Sequence, residues 1–203
     1  MTNKEKTERC RSVLYKYKGK VEDLEDIEFL YSIFECHAQW DKKKGCGVDY
    51  FYTGKSEYGN SCFFIMRTDG STTDISFTSA IKEPSIRSKV FKACRTSIEP
   101  EITKFRGRAV IYGKTKCALT GEVLTPQNTH IDHYDLTFIE LFDKWLKFTD
   151  LETAYSLVTE AKDNECKTYF TNQQIIDDFV RFHNDNTHLR AITKDANLRR
   201  PRK

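Results

Sequence analysis

The period of the apolar positions changes several times along the chain, and each change marks an element. Over residues 21–40, Leu24, Ile27, Leu30, Tyr31, Ile33 and Phe34 recur at helical spacing. Glu22, Asp23, Glu25 and Asp26 sit where negative charge suits the start of that helix. Gly45-Cys46-Gly47 ends the pattern. Residues 48–52 then read as a strand, 54–60 as a turn and 61–67 as a strongly apolar strand. Asp69-Gly70 turns the chain back through a third strand at 73–78. A polar stretch at 1–8 is expected to be a frayed, disordered tail, and 9–82 a small α+β domain.

Between Pro84 and Phe105, Ile86, Val90, Phe91, Cys94, Ile98 and Ile102 fall on one helical face. Pro84 suits a helix start, whereas Pro100 is expected to kink or split it, so 83–106 reads as a linker helix between two halves. The remainder, 107–203, opens with Arg108–Tyr112 and Lys116–Gly121 and reaches a short strand at 129–133. Helical patterns follow over 138–148, 151–161 and 172–183, and a second strand then runs into a basic helix. The three helical patterns form an insertion at about 137–185, whose aromatic residues read as core rather than as a base-stacking platform. The fold class is α+β.

Composition narrows the function classes. The chain of 203 residues allows one large domain or two small ones, and 14 Phe and 10 Tyr can fill the cores. A net charge of +3 is uninformative by itself, but 187–203 holds six Lys/Arg against one Asp. No apolar run approaches the roughly 18 residues of a membrane span and no signal-peptide pattern is present, so a cytoplasmic protein with no membrane partner is expected. Seven cysteines without a CxxC pair fit reduced thiols, most of them buried as small hydrophobes.

Four of the five histidines fall between 130 and 188. They define two segments, His130-Ile131-Asp132-His133-Tyr134 and His188-Leu189-Arg190 running on to Asn197-Leu198-Arg199-Arg200. Phosphodiester hydrolysis needs an activated water, charge neutralisation on the phosphate and help for the leaving oxygen. A histidine can take the water's proton, and a hard cation on oxygen ligands can stabilise the developing charge. Asp132 and the Asn197 amide oxygen suit Mg2+ or Mn2+, and His133 is then the candidate base. His188 can orient that imidazole through its ring or backbone. His188 and Asn197 are nine residues apart, enough for a strand, a tight turn and the first turn of a helix that Thr193 would cap. Arg190, Lys194, Arg199 and Arg200 are the expected DNA contacts. In a regular strand His130 and Asp132 share a face that His133 does not, so His130 is an alternative base or a supporting partner.

This pattern resembles the HNH endonucleases, nucleases built as strand–strand–helix around one metal ion. Asp132-His133 matches the family's Asp-His pair, His188 fills its middle Asn position, and Asn197 matches its final metal ligand. Many members brace the helix with a structural zinc on two cysteine pairs. Here Cys117 is accompanied by Thr120, Thr193 and Ala196, so no structural zinc is expected. The resemblance covers roughly 107–203 and implies cleavage of double-stranded DNA to 5′-phosphate and 3′-hydroxyl ends, in a protein of phage homing or bacterial defence type. One site cuts one strand per visit, so double-strand cleavage would call for a homodimer or sequential nicks.

The first half resembles the domain named after the plant "defective chloroplasts and leaves" protein. The likeness, over roughly 11–81, lies in 26–34, the Gly45-Cys46-Gly47-Val48 turn, Arg67-Thr68-Asp69-Gly70 and Asp74-Ile75-Ser76. Such domains in plants are associated with ribosomal RNA maturation or a polymerase subunit tail, and similar bacterial and phage segments precede a nuclease domain. Arg67, Asp69 and Asp74 read as turn chemistry and a local ion pair, so binding or docking is the role implied. The competing expectation for the whole chain is a non-catalytic nucleic-acid-binding or RNA-maturation factor on a nuclease-like scaffold.

Overall fold

The computed structural model describes residues 1–57, 59–160 and 167–199. Two compact units emerge, one built on Met1–Ser85 and the other on Ile86–Thr159 with Thr168–Lys203. Both mix helices with small antiparallel sheets.

The first unit begins with α1 (Asn3–Lys16), so the stretch expected to fray is ordered helix. Its start is held by a capping box: the Thr2 hydroxyl accepts from the Glu5 N–H at 3.3 Å, and Glu5 Oε2 accepts from the Thr2 N–H at 2.7 Å. Burial of Cys10, Val13 and Leu14 anchors the other end. The long helix expected over 21–40 is two helices. In α2 (Leu24–Phe34) Asp23 Oδ1 caps the N-terminus by accepting from the N–H groups of Glu25 and Asp26, and Phe29, Leu30, Ile33 and Phe34 are buried. Tight i→i+3 bonds from Cys36 to Ile33 and from His37 to Phe34 end it before α3 (Trp40–Lys44).

Strands β1 (Val48–Lys55), β2 (Ser61–Arg67) and β3 (Thr72–Ile75) form an antiparallel sheet in that order, and α4 (Phe77–Ile81) follows. The register sets Phe51 opposite Ile65 and Phe63 opposite Ile75, which places four buried side chains on the face that meets the helices. Arg67 is buried, and its guanidinium donates to the carbonyls of Lys43 and Lys42 and to the Ser71 hydroxyl. Gly45 makes room for it: φ is +53°, and a Cβ there would lie 3.0 Å from Arg67. Asp69 accepts from the Ser71 N–H within the turn, and Asp74 pairs with Lys43 at 3.2 Å. These residues thus do the turn and ion-pair work expected of them.

The second unit is organised on α5 (Ile86–Ala109), which runs unbroken through Pro100. Proline there forfeits one i→i−4 hydrogen bond, but Val90, Ala93, Cys94 and Ile98 fix the helix in a core. α5 is therefore part of this unit rather than a spacer between domains. Beyond it come β4 (Thr129–His133), α6 (Phe138–Trp145), α7 (Leu151–Ser156), β5 (Val158–Glu160), β6 (Thr168–Phe170) and α8 (Gln173–Asn186). β5 takes the end of the helical pattern expected over 151–161 and pairs with β6 as a ribbon. Phe138, Leu141, Phe142, Trp145, Phe170 and Phe179 complete the core with α5, so these aromatics are packing residues. The chain closes with β7 (Leu189–Thr193) and α9 (Lys194–Arg199).

A separate small core of Val110, Cys117, Leu124, Ala191 and Ile192 lies under the β4–β7 pair. Among the described residues no helix is long and apolar enough to cross a membrane, and Cys10, Cys36, Cys46, Cys62, Cys94 and Cys117 carry free thiols.

Candidate active site

β4 and β7 pair antiparallel, with Asp132 opposite Arg190 and His133 opposite Leu189. α9 follows β7 without a linker and packs on both strands. The Thr193 hydroxyl accepts from the Ala196 N–H at 3.3 Å, which starts α9 as the sequence suggested. A two-stranded antiparallel ladder with a helix folded back on it therefore carries the candidate residues.

Asn197 and His130 meet on this platform, with Asn197 Nδ2 donating to His130 Nδ1 at 3.0 Å. With its N–H engaged there, the amide oxygen is the atom of Asn197 suited to a cation. The neutral His130 ring then carries its own proton on Nε2. Burial, followed by the positive charges of Lys194 and Arg106, pushes the His130 imidazole below its ordinary range. His130 thus orients Asn197 more readily than it accepts a proton through Nδ1.

Asp132 is buried, and its Oδ2 accepts from both Nε and one terminal nitrogen of Arg190 at 2.9 Å each. Arg190, expected as a DNA contact, is thus engaged with this carboxylate, and its guanidinium stacks 5.2 Å over the Tyr134 ring. The exposed His188 ring turns to Asp135, with Nδ1 donating to Oδ2, rather than to His133; its carbonyl accepts from the Tyr134 N–H. Lys194 and Arg199 lie on α9, Arg199 facing Asp195 at 3.8 Å with both side chains exposed. Arg200 lies outside the described residues.

The imidazole of His133 meets a residue that the sequence reading had not singled out. His133 Nε2 is 3.0 Å from Nε2 of His183, the last buried residue of α8. Burial, with His183 and Arg95 adding positive potential, pushes His133 down to about 4, and burial also lowers His183. Both rings are neutral at pH 7, the form in which an imidazole accepts a proton. The signal for His183 in the sequence is a lone histidine at the core-facing end of an amphipathic pattern.

The four positions compared with a zinc clamp do come together. The Cys117 sulfur accepts from the Thr193 N–H at 3.2 Å and from the Thr120 hydroxyl, and Thr193 in turn accepts from the Ala196 N–H. Burial raises the thiol pKa, but the hydrogen bonds from Thr120, Thr193 and Leu119 outweigh it and bring the group to about 7. Hydrogen bonds here join the start of α9 to the turn at Cys117.

The donor chemistry fits a hard divalent cation: a carboxylate at Asp132 and an amide oxygen at Asn197, whose orientation is fixed by His130. Arg190 already bonds to the same carboxylate, so a cation at Asp132 would share it with the guanidinium or displace it.

Residues 12–81 match the family described as "Protein of unknown function (DUF3223)". The chain is 44% identical over 55 residues to "Protein DCL, chloroplastic" of Solanum lycopersicum, a match that covers 26% of this chain and about a quarter (25%) of that protein. A solution NMR structure of an uncharacterized protein from Rhodospirillum rubrum is similar at 29% identity, covering 38% of this chain and 76% of that one with a TM-score of 0.36. Within the N-terminal unit, residues 12–81 are thus similar to this family and to part of the DCL protein.

Proposed function

We propose that residues 107–203 act as a metal-dependent HNH-type endonuclease that hydrolyses DNA phosphodiester bonds, and that the DCL-like unit helps dock it on its target. The observation that carries this reading is the return of Asn197 on α9 to within 3.0 Å of His130 on β4, two residues from Asp132 on the same strand. Asp132 and Asn197 would hold Mg2+ or Mn2+, which when bound supplies charge stabilisation at the phosphate. His133 accepts the proton of the attacking water. The new bond forms between that water oxygen and phosphorus, and the bond from phosphorus to the 3′ oxygen breaks, that oxygen taking a proton from solvent water. Lys194 and Arg199 neutralise flanking phosphates without reading sequence.

The test replaces the base. His133→Ala is expected to lower the single-turnover rate by about 10²–10⁴-fold with DNA affinity retained. Cleavage by the purified variant at the wild-type rate would remove His133 from the mechanism.

A further inference from the structure

His183 and Asn184 lie in none of the roles assigned so far, yet they continue the hydrogen-bonded chain that begins at His133. His183 is 1% exposed and is buried on α8 together with the core residues Ile175 and Phe179. A polar ring in such a place costs free energy unless both nitrogens find partners. Both do: Nε2 faces His133 Nε2 at 3.0 Å, and Nδ1 faces Asn184 Oδ1 at 3.0 Å. The two imidazoles meet edge-on at 84°, with Phe138 against the His133 ring.

The chemistry of these atoms sets the direction of every proton in the chain. A carbonyl oxygen only accepts, so His183 Nδ1 must donate to Asn184 Oδ1. A neutral His183 then has its lone pair on Nε2. The 3.0 Å contact between the two Nε2 atoms therefore holds one proton, and that proton belongs to His133. His133, neutral in turn, has its lone pair on Nδ1.

We propose that His183, backed by Asn184, is a positioning residue that fixes the tautomer of His133 so that Nδ1 is its proton-accepting nitrogen. The proposal rests on the nuclease reading for what that nitrogen does, but not for which nitrogen it is. It also gives the inserted segment between β4 and β7 a task. The last turns of α8 bring His183 and Asn184 to β4, fifty residues from His133 in sequence. The ring of His188, although next to β7, turns to Asp135 instead.

Nitrogen-15 NMR of the histidine rings at pH 7, without metal, reads the tautomer directly. The wild type is expected to show His133 protonated on Nε2, and His183→Gln, whose side-chain oxygen still accepts, is expected to keep that signature. His183→Leu is expected to lose it and to populate the Nδ1-protonated form. In plasmid cleavage with Mg2+, His183→Leu is expected to lose about 10–100-fold in kcat with KM for DNA unchanged, and His183→Gln to recover most of the loss. Wild-type His133 protonated on Nδ1, or His183→Leu folded and cutting at the wild-type rate, would overturn the proposal. Should His183→Leu fail to fold, the wild-type and His183→Gln spectra still decide it. A wild type that cuts no DNA under any metal overturns the nuclease reading instead, and leaves the tautomer result standing.

Discussion

Asn197 Nδ2 donates to His130 Nδ1 at 3.0 Å, across sixty-seven residues of chain. This bond orients the amide and presents its oxygen as the candidate ligand. Asn197→Ala is expected to raise the Mg2+ concentration needed for half-maximal cleavage by about 10–100-fold. Asn197→Asp keeps an oxygen donor and is expected to stay within about tenfold of wild type. A metal titration of the cleavage rate checks both, and an unshifted titration for Asn197→Ala would remove this residue from the cation site.

Arg190 and Asp132 form a well-covered ion pair, with 21% and 10% of their side chains exposed. Removing the arginine takes the paired positive charge from a buried carboxylate, so Arg190→Ala is expected to destabilise the second unit by about 2–4 kcal/mol. Added Mg2+ should then raise the Tm of the variant more than that of wild type, because the cation replaces the lost charge. Lys194→Ala and Arg199→Ala should behave differently. Each is expected to leave Tm nearly unchanged and to reduce the salt dependence of DNA binding by about one unit of slope.

The first unit offers a pH test. Burial by itself would raise the Asp26 carboxyl, but hydrogen bonds from Lys16 and Tyr17 outweigh it and hold the group below its ordinary range. A carboxyl whose folded pKa is depressed adds stability that is fully present above its unfolded value near 4, and that stability is lost as pH falls through the folded value. Asp26→Asn should therefore melt about 2–5 °C below wild type at pH 7, with the gap shrinking as the pH is taken below the unfolded value near 4. A gap that stays constant from pH 7 to pH 2.5 would show that the ion pair contributes nothing.

Phe179 is fully buried and packs against Phe138 and Trp145. Phe179→Ala is expected to cost about 3–5 kcal/mol in urea denaturation. Because α8 also carries His183, the same variant should release the His133 ring.

Much of this molecule was legible in its sequence, for reasons that differ by element. β2 could be read to the residue because an apolar run between turn signals has one plausible reading, and Asp69-Gly70 fixed the following hairpin. The segment 1–8 was misread because its charged side chains masked a Thr-x-x-Glu capping box that needs no apolar residue. Residues 83–106 read as a kinked linker helix because a proline signals a break locally, whereas the burial of Val90, Cys94 and Ile98 that overrides it is a tertiary fact. At the candidate site, Asp132, His133 and Asn197 were legible as residue types at a spacing. The partners were not. Which side chain meets His133 depends on how α8 folds over β4, and no local pattern distinguishes His183 from a lone core histidine. Arg190 looked like a DNA contact because its charge is visible in sequence, while the antiparallel register that sets it opposite Asp132 is not.

The most direct measurement of the central claim incubates the purified full chain with supercoiled plasmid and Mg2+ or Mn2+, with and without chelator. Metal-dependent conversion to nicked circles, abolished by chelator and by His133→Ala, is the predicted result. Intact plasmid under every metal, from protein that still binds the DNA, would contradict the nuclease reading and favour a binding factor on the same scaffold.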